Sequence, residues 1–110
     1  MEAYTEMRSP DGSTVKLSLN FKRLYMLRSK NKAAYEKYRN AIVKLNSSED
    51  AEIDDFDQID ILYAAYLCGD VEHCEKLLDF EEFLEILPED HVEMSMLVNQ
   101  VYHGIGTEKN

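Results

Sequence analysis

The chain has two cysteines, Cys68 and Cys74, too few and too close together to outline a disulfide framework. Thiols with nothing to staple are expected to stay reduced, as in a cytosolic protein. No apolar run near the amino terminus has the make-up of a secretory signal, and none anywhere approaches the ~20 residues of a membrane span. The expectation is a soluble protein with no membrane partner, kept in the cytoplasm where it is made. Also missing are GxSxG, GxGxxG and a glycine-rich phosphate loop. No nucleophile with a base, and no carboxylate pair in an apolar setting, can be assembled from the remaining residues. We therefore expect no enzyme and no cofactor.

Basic residues are scarce in one half only. Residues 1–46 carry ten Lys or Arg against four acids, while residues 47–110 carry two against eighteen. The net charge of −10 is thus the sum of a basic half at +6 and an acidic half at −16. A whole-chain average would argue against nucleic acid, yet it describes neither half.

What is present is enough for one folded domain. With 110 residues and 45% hydrophobic content the chain can bury a modest core, but not two. Within 3–19, Pro10-Asp11-Gly12 is turn chemistry, and Val15, Leu17 and Leu19 alternate with Lys16 and Ser18 at strand period. This predicts an extended hairpin arm that needs a helix to rest on. From Phe21 the period becomes helical. Phe21, Leu24 and Leu27 mark one face, "SKN" at 29–31 breaks the run, and Ala34, Tyr35, Tyr38, Ala41, Ile42 and Leu45 mark the next. Residues 20–46 are therefore basic helices, and "NSSEDAEIDD" at 46–55 is a loop where the charge changes sign.

The acidic helical part covers 55–102. Asp55 with Gln58 is spaced as a capping box, and the helix behind it, 56–68, is apolar nearly all round, which predicts burial. Gly69 is its expected stop and a short helix over 71–78 follows. Asp79 with Glu82 forms a second capping pair ahead of Phe80, Phe83, Leu84 and Leu87. Pro88 closes that helix and can start the next, which is expected to run to about Tyr102 and fray over 103–110. The fold class is mainly α: a single domain, 1–110, of four to six helices with a short N-terminal β-hairpin. Leu62, Tyr63, Tyr66, Tyr38, Ile42, Phe80 and Phe83 are its expected core.

Cys68, His73 and Cys74 cluster as metal ligands can, but a closed zinc site needs four donors and no second pair exists. "DDFDQID" at 54–60 lacks the glycine and the terminal glutamate of a calcium loop. No metal is expected. Tyr25, Tyr35 and Tyr38 interleaved with Lys22, Arg23, Arg28, Lys30, Lys32, Lys37 and Arg39 resemble a nucleic-acid binder. Two of those tyrosines share the apolar stripe of Ile42 and Leu45, however, and the acidic half repels phosphate. The basic helices are better spent neutralising the acidic ones, in the same subunit or, through self-association, in a neighbouring one.

The last helix has two faces. Met94, Leu97, Val98, Val101 and Tyr102 define one, while Val92 and Met96 project from nearly the opposite side. Val92 and Met96 are accordingly the candidate partner-binding residues, Met being unbranched and adaptable.

Several stretches together resemble the tail assembly chaperones of long-tailed bacteriophages and prophages of Gram-positive bacteria. They are "VKLSLNFKRLYMLRSKNKAAYEKY" at 15–38, "DILYAAYLC" at 60–68, "DFEEFLEILPED" at 79–90 and "LVNQVY" at 97–102. None is a catalytic motif; they are hydrophobic patterns with a phenylalanine–acid–leucine–proline punctuation. The resemblance implies a small helical protein of the host cytoplasm, absent from the mature virion, that coats the tape measure protein, keeps it soluble and recruits tail tube protein around it. In many members a ribosomal frameshift yields a longer form, of which this chain shows no extension. The alternative is a small regulatory or adaptor domain contacting nucleic acid through the basic helices.

Overall fold

The computed structural model describes residues 5–9, 12–47 and 55–107, the side chains of 46, 47 and 102–107 excepted. The expected turn residues Pro10 and Asp11, the start of the arm at 3–4, loop residues 48–54, the side chain of Tyr102 and the tail at 108–110 lie outside them. Mainly helical architecture with an N-terminal antiparallel hairpin is what the described residues form.

Strands β1 (Thr5–Arg8) and β2 (Thr14–Leu17) pair antiparallel with Thr5 opposite Leu17 and Arg8 opposite Thr14. Gly12, at φ +93°, takes a conformation that side chains with a Cβ rarely adopt, and its N–H donates to the Ser9 carbonyl. Met7, Leu17 and Leu19 are buried, so the hairpin rests on the helices as its alternation requires. The Ser18 N–H, 3.0 Å from the Ala65 carbonyl oxygen, ties the end of β2 to the central helix.

Helix α1 (Phe21–Lys30) is capped by Asn20, whose side chain accepts from the Arg23 N–H at 2.8 Å. Asn31 ends α1, donating its N–H to Leu27, and starts α2 (Lys32–Ser47), accepting from the Ala34 N–H. One residue thus makes both the break and the cap, bringing the helices together as neighbours. Phe21 is not on the packed face: it is 80% exposed. At 100° per residue it lies roughly 90° from the direction shared by Leu24 and Leu27, too far round to follow them inward.

The central helix α3 (Asp55–Gly69) is buried over most of its circumference, as its all-round apolar sequence predicts. It packs against α1, α2, β2 and the last helix. Phe56, in its first turn, is exposed instead of joining the core. The Asp55–Gln58 box gives way to tertiary partners. Asp55 faces His91 at 2.9 Å, and the Gln58 side-chain oxygen accepts from the Ser95 hydroxyl at 3.2 Å, so the pair ties α3 to the last helix.

Gly69 ends α3 for a different reason than expected. A Cβ there would lie 2.4 Å from the Lys16 carbonyl oxygen, so the residue is small because β2 passes against it. A 3₁₀ helix (Val71–Lys76) follows, in place of the expected helix to 78. Helix α4 (Phe80–Leu84) begins with both bonds of the Asp79–Glu82 capping box formed, at 2.8 and 3.0 Å. Pro88 starts no helix. Asp90 accepts from the Val92 N–H through its side chain and from the Met94 N–H through its carbonyl, so α5 (His91–Thr107) begins after it. Helical backbone continues beyond Tyr102 to Thr107; Gly104 and Gly106 weaken helix propensity without forbidding its dihedrals.

The core is one cluster around α3. Leu62, Tyr66 and Phe83 are buried, while Tyr38, Ile42, Tyr63 and Phe80 are half-buried against it. Tyr66 stacks on Phe83 at 5.0 Å and Tyr63 meets Phe80 edge-on at 5.5 Å. The two phenols also hold the backbone of Leu78. Tyr63 donates to its carbonyl at 2.9 Å, and Tyr66 accepts from its N–H at 3.0 Å. Burial, with the charge of Asp79 adding, raises the Tyr63 phenol above its ordinary 10.0.

Candidate functional site

On α5 the inward and outward sides separate as the helical period requires. Met94, Val98 and Val101 are buried and Leu97 is half-buried against the core. Val92 and Met96 are 66% and 56% exposed. Glu89, Asp90 and Glu93 lie beside them in sequence, all exposed, and no Lys or Arg occurs between Lys76 and Lys109. The result is a short apolar ridge in an acidic surround, held in place by Asp55–His91 and Gln58–Ser95 at the start of the helix.

A second apolar surface was not foreseen in the sequence. It is a groove of about 400 Å³ between α1 and α2. From α1 come Phe21, Leu24, Tyr25 and Arg28; from α2 come Tyr35, Tyr38, Arg39, Ile42 and Val43. Both sets follow the spacing of one helix face, i, i+3, i+4 and i+7, with Val43 of α2 at i+8. That spacing was the available signal, but a stripe does not say whether another element covers it. Tyr25 is 65% exposed and carries the Arg28 guanidinium 5.4 Å from its ring centroid. Tyr35 and Tyr38 are half-buried and tilted against each other, as expected of residues on the Ile42 stripe.

Part of the basic half does meet the acidic half within the subunit. Arg23 donates to the Cys68 carbonyl at 2.8 Å, in the last turn of α3, and Lys30 to the Glu72 carbonyl at 3.2 Å, near the start of the 3₁₀ helix. Lys44 pairs with Asp57 at 2.9 Å. Lys37 lies 5.1 Å from the Phe80 ring centroid.

Cys68, His73 and Cys74 do not converge. Both thiols are buried, whereas His73 points to solvent and its Nδ1 lies 3.0 Å from Asp70. Among the described residues no group of three or more His, Cys, Asp or Glu is placed to hold a metal ion. Burial pushes the Cys68 thiol up to about 12, against a smaller opposing pull from Arg23, and burial raises Cys74 as well. Among the described residues no helix is long and apolar enough to cross a membrane. No protein-family model, curated protein or solved structure matches the chain.

Proposed function

We propose that this protein is a bacteriophage tail assembly chaperone acting in the host cytoplasm. It binds the tape measure protein, keeps it soluble and helps recruit tail tube protein, by binding alone and without catalysis. The observation that carries the reading is the two-faced α5. A protein that holds an aggregation-prone client must expose apolar surface without precipitating itself. Val92 and Met96 supply adaptable apolar contact, and the carboxylates around them supply hydration and mutual repulsion. A long helical client offers apolar positions at the spacing such a ridge can meet. The sequence resemblance supplies the client's name.

The test is co-expression with a tape measure protein of a Gram-positive phage, scored by the soluble fraction of that protein. Met96→Asp should melt like wild type, because exposed replacements stay within about 0.5 kcal/mol. It should nonetheless lose solubilisation, since the new carboxylate would be buried unpaired against an apolar client face. Val98→Asp, at a buried position, should unfold the domain. A Met96→Asp variant that melts normally and solubilises the client fully removes α5 as the client surface; a wild-type chain that never solubilises it removes the function.

A further inference from the structure

We propose that the basic groove between α1 and α2 receives the Val92–Met96 ridge of a second copy of this chain. The groove is shaped for a helix face. It is walled by two helices, the shorter of ten residues and so roughly 15 Å long at 1.5 Å per residue, enough for about three turns of a bound helix. Its floor is apolar, with Leu24 and Ile42, and Phe21 and Tyr25 stand open at its side.

Charge selects the occupant. Helices α1 and α2 carry eight Lys or Arg and one acid, Glu36, which lies 3.9 Å from Lys32. Arg28 and Arg39 belong to the groove itself. An occupant must therefore combine apolar anchors one turn apart with carboxylates beside them. The α5 ridge has that composition: Val92 and Met96 are the anchors, and Glu89 and Glu93 are the carboxylates. Its own subunit leaves it open, because Met94 and Val98 hold the opposite side of α5 in the core and α5 packs on α3 and β1. Nucleic acid fits the groove less well. Of its four aromatic rings Tyr35 and Tyr38 are half-buried, which leaves Phe21 and Tyr25 open for stacking, and the chain as a whole carries −10, which repels phosphate.

In the contact, the guanidinium forks of Arg28 and Arg39 meet Glu89 and Glu93 while Val92 and Met96 settle against Phe21 and Tyr25. Two different surfaces are joined, so each copy offers one groove and one ridge. The proposal concerns copies of this chain only and stands whether or not the ridge also takes a tape measure protein.

Sedimentation velocity on the purified chain tests it. The wild-type mass should rise with protein concentration in about 0.01 M salt and fall back in about 1 M, where the screening length drops from roughly 30 to 3 Å. Arg28→Glu/Arg39→Glu and Glu89→Lys/Glu93→Lys should each weaken association by more than about tenfold, through like charges facing each other. An equimolar mixture of the two variants should associate again, because an acidic groove then meets a basic ridge and a native groove meets a native ridge. Phe21→Ser, an uncharged change at an exposed site, should weaken association without altering thermal melting. A wild type that stays monomeric throughout, variants that associate like wild type, or a mixture that stays monomeric would each overturn the proposal. So would nucleic acid that co-purifies with wild type and is lost from the Arg28→Glu/Arg39→Glu variant, which would assign the groove to phosphate.

Discussion

Replacing Gly69 by Ala sets two known effects against each other at one position. Inside a helix, Ala is favoured over Gly by about 1 kcal/mol, and on that ground alone the change would stabilise. The close approach of β2 reverses the sign. The added Cβ would lie 2.4 Å from the Lys16 carbonyl oxygen and 3.0 Å from its carbon, short of ordinary van der Waals contact by roughly 1 Å. The obstacle is backbone, so no rotamer change at Lys16 relieves it. Nor can the strand retreat freely. Leu17 is fully buried beside Lys16, and the Ser18 N–H is held by Ala65 at 3.0 Å. Overpacking of this kind costs about 1–3 kcal/mol, and loosening the Ser18 bond adds about 1 kcal/mol. The net expectation is a loss of about 1–3 kcal/mol, which lowers the melting temperature by roughly 4–12 °C for a domain of this size. Urea unfolding followed by far-ultraviolet circular dichroism measures it directly. A Gly69→Ala variant as stable as wild type, or more stable, would refute both the packing of β2 on α3 and the close approach as the cause of the glycine.

Two further predictions concern titrating groups. With its thiol pushed up to about 12 by burial, Cys68 should resist a water-soluble thiol reagent at pH 8 in the folded protein, and Cys74 should react slowly for the same cause, both becoming reactive on unfolding; modification of Cys68 at the rate of a free thiol under native conditions would contradict its placement. The hydrogen bond and charge of Asp70 raise His73 above its ordinary 6.5. The protonated form is the one favoured in the fold, so the pair's contribution to stability is complete below pH 6.5 and disappears as pH rises through the higher folded value. An NMR titration of His73 should show a midpoint above 6.5 that returns toward it in Asp70→Asn, and a midpoint at or below 6.5 in the wild type would break the assignment.

What could be read from the sequence was what depends on neighbours along the chain. The Asp79–Glu82 box needs two side chains and the backbone of one turn, and both its bonds are formed. Helix α3 could be recognised as buried because residues such as Ile61, Ala64 and Ala65, off the main stripe, are as apolar as those on it. The hairpin followed from alternation and a glycine turn. Where the outcome was set across the chain, local spacing misled. Asp55 and Gln58 have the same offset as the working box, but His91 and Ser95 compete for them. Gly69 is the helix stop that the sequence suggested, but its lack of a side chain is required by β2 passing against it. Phe21 and Phe56 have the spacing of core residues yet lie outside it, because apolar periodicity gives a direction and not a covering partner. The groove went unread on the same account: its stripes were visible, its openness was not.

The charge asymmetry of the sequence is resolved only partly inside the subunit. Arg23 binds a carbonyl in the last turn of α3, where partial negative charge accumulates, Lys30 binds the Glu72 carbonyl near the start of the 3₁₀ helix, and Lys44 binds a carboxylate. Those contacts orient the basic helices against the acidic ones but leave Arg28 and Arg39 beside exposed aromatic rings, and Glu89 and Glu93 beside exposed Val92 and Met96. Full neutralisation within one copy would have removed the long-range repulsion that keeps such apolar surfaces apart in solution. Retaining opposite charges on two separate faces does something different. It keeps like faces from meeting and admits only a partner whose apolar residues arrive with the complementary sign, so the same carboxylates that hydrate the α5 ridge also restrict what can bind it.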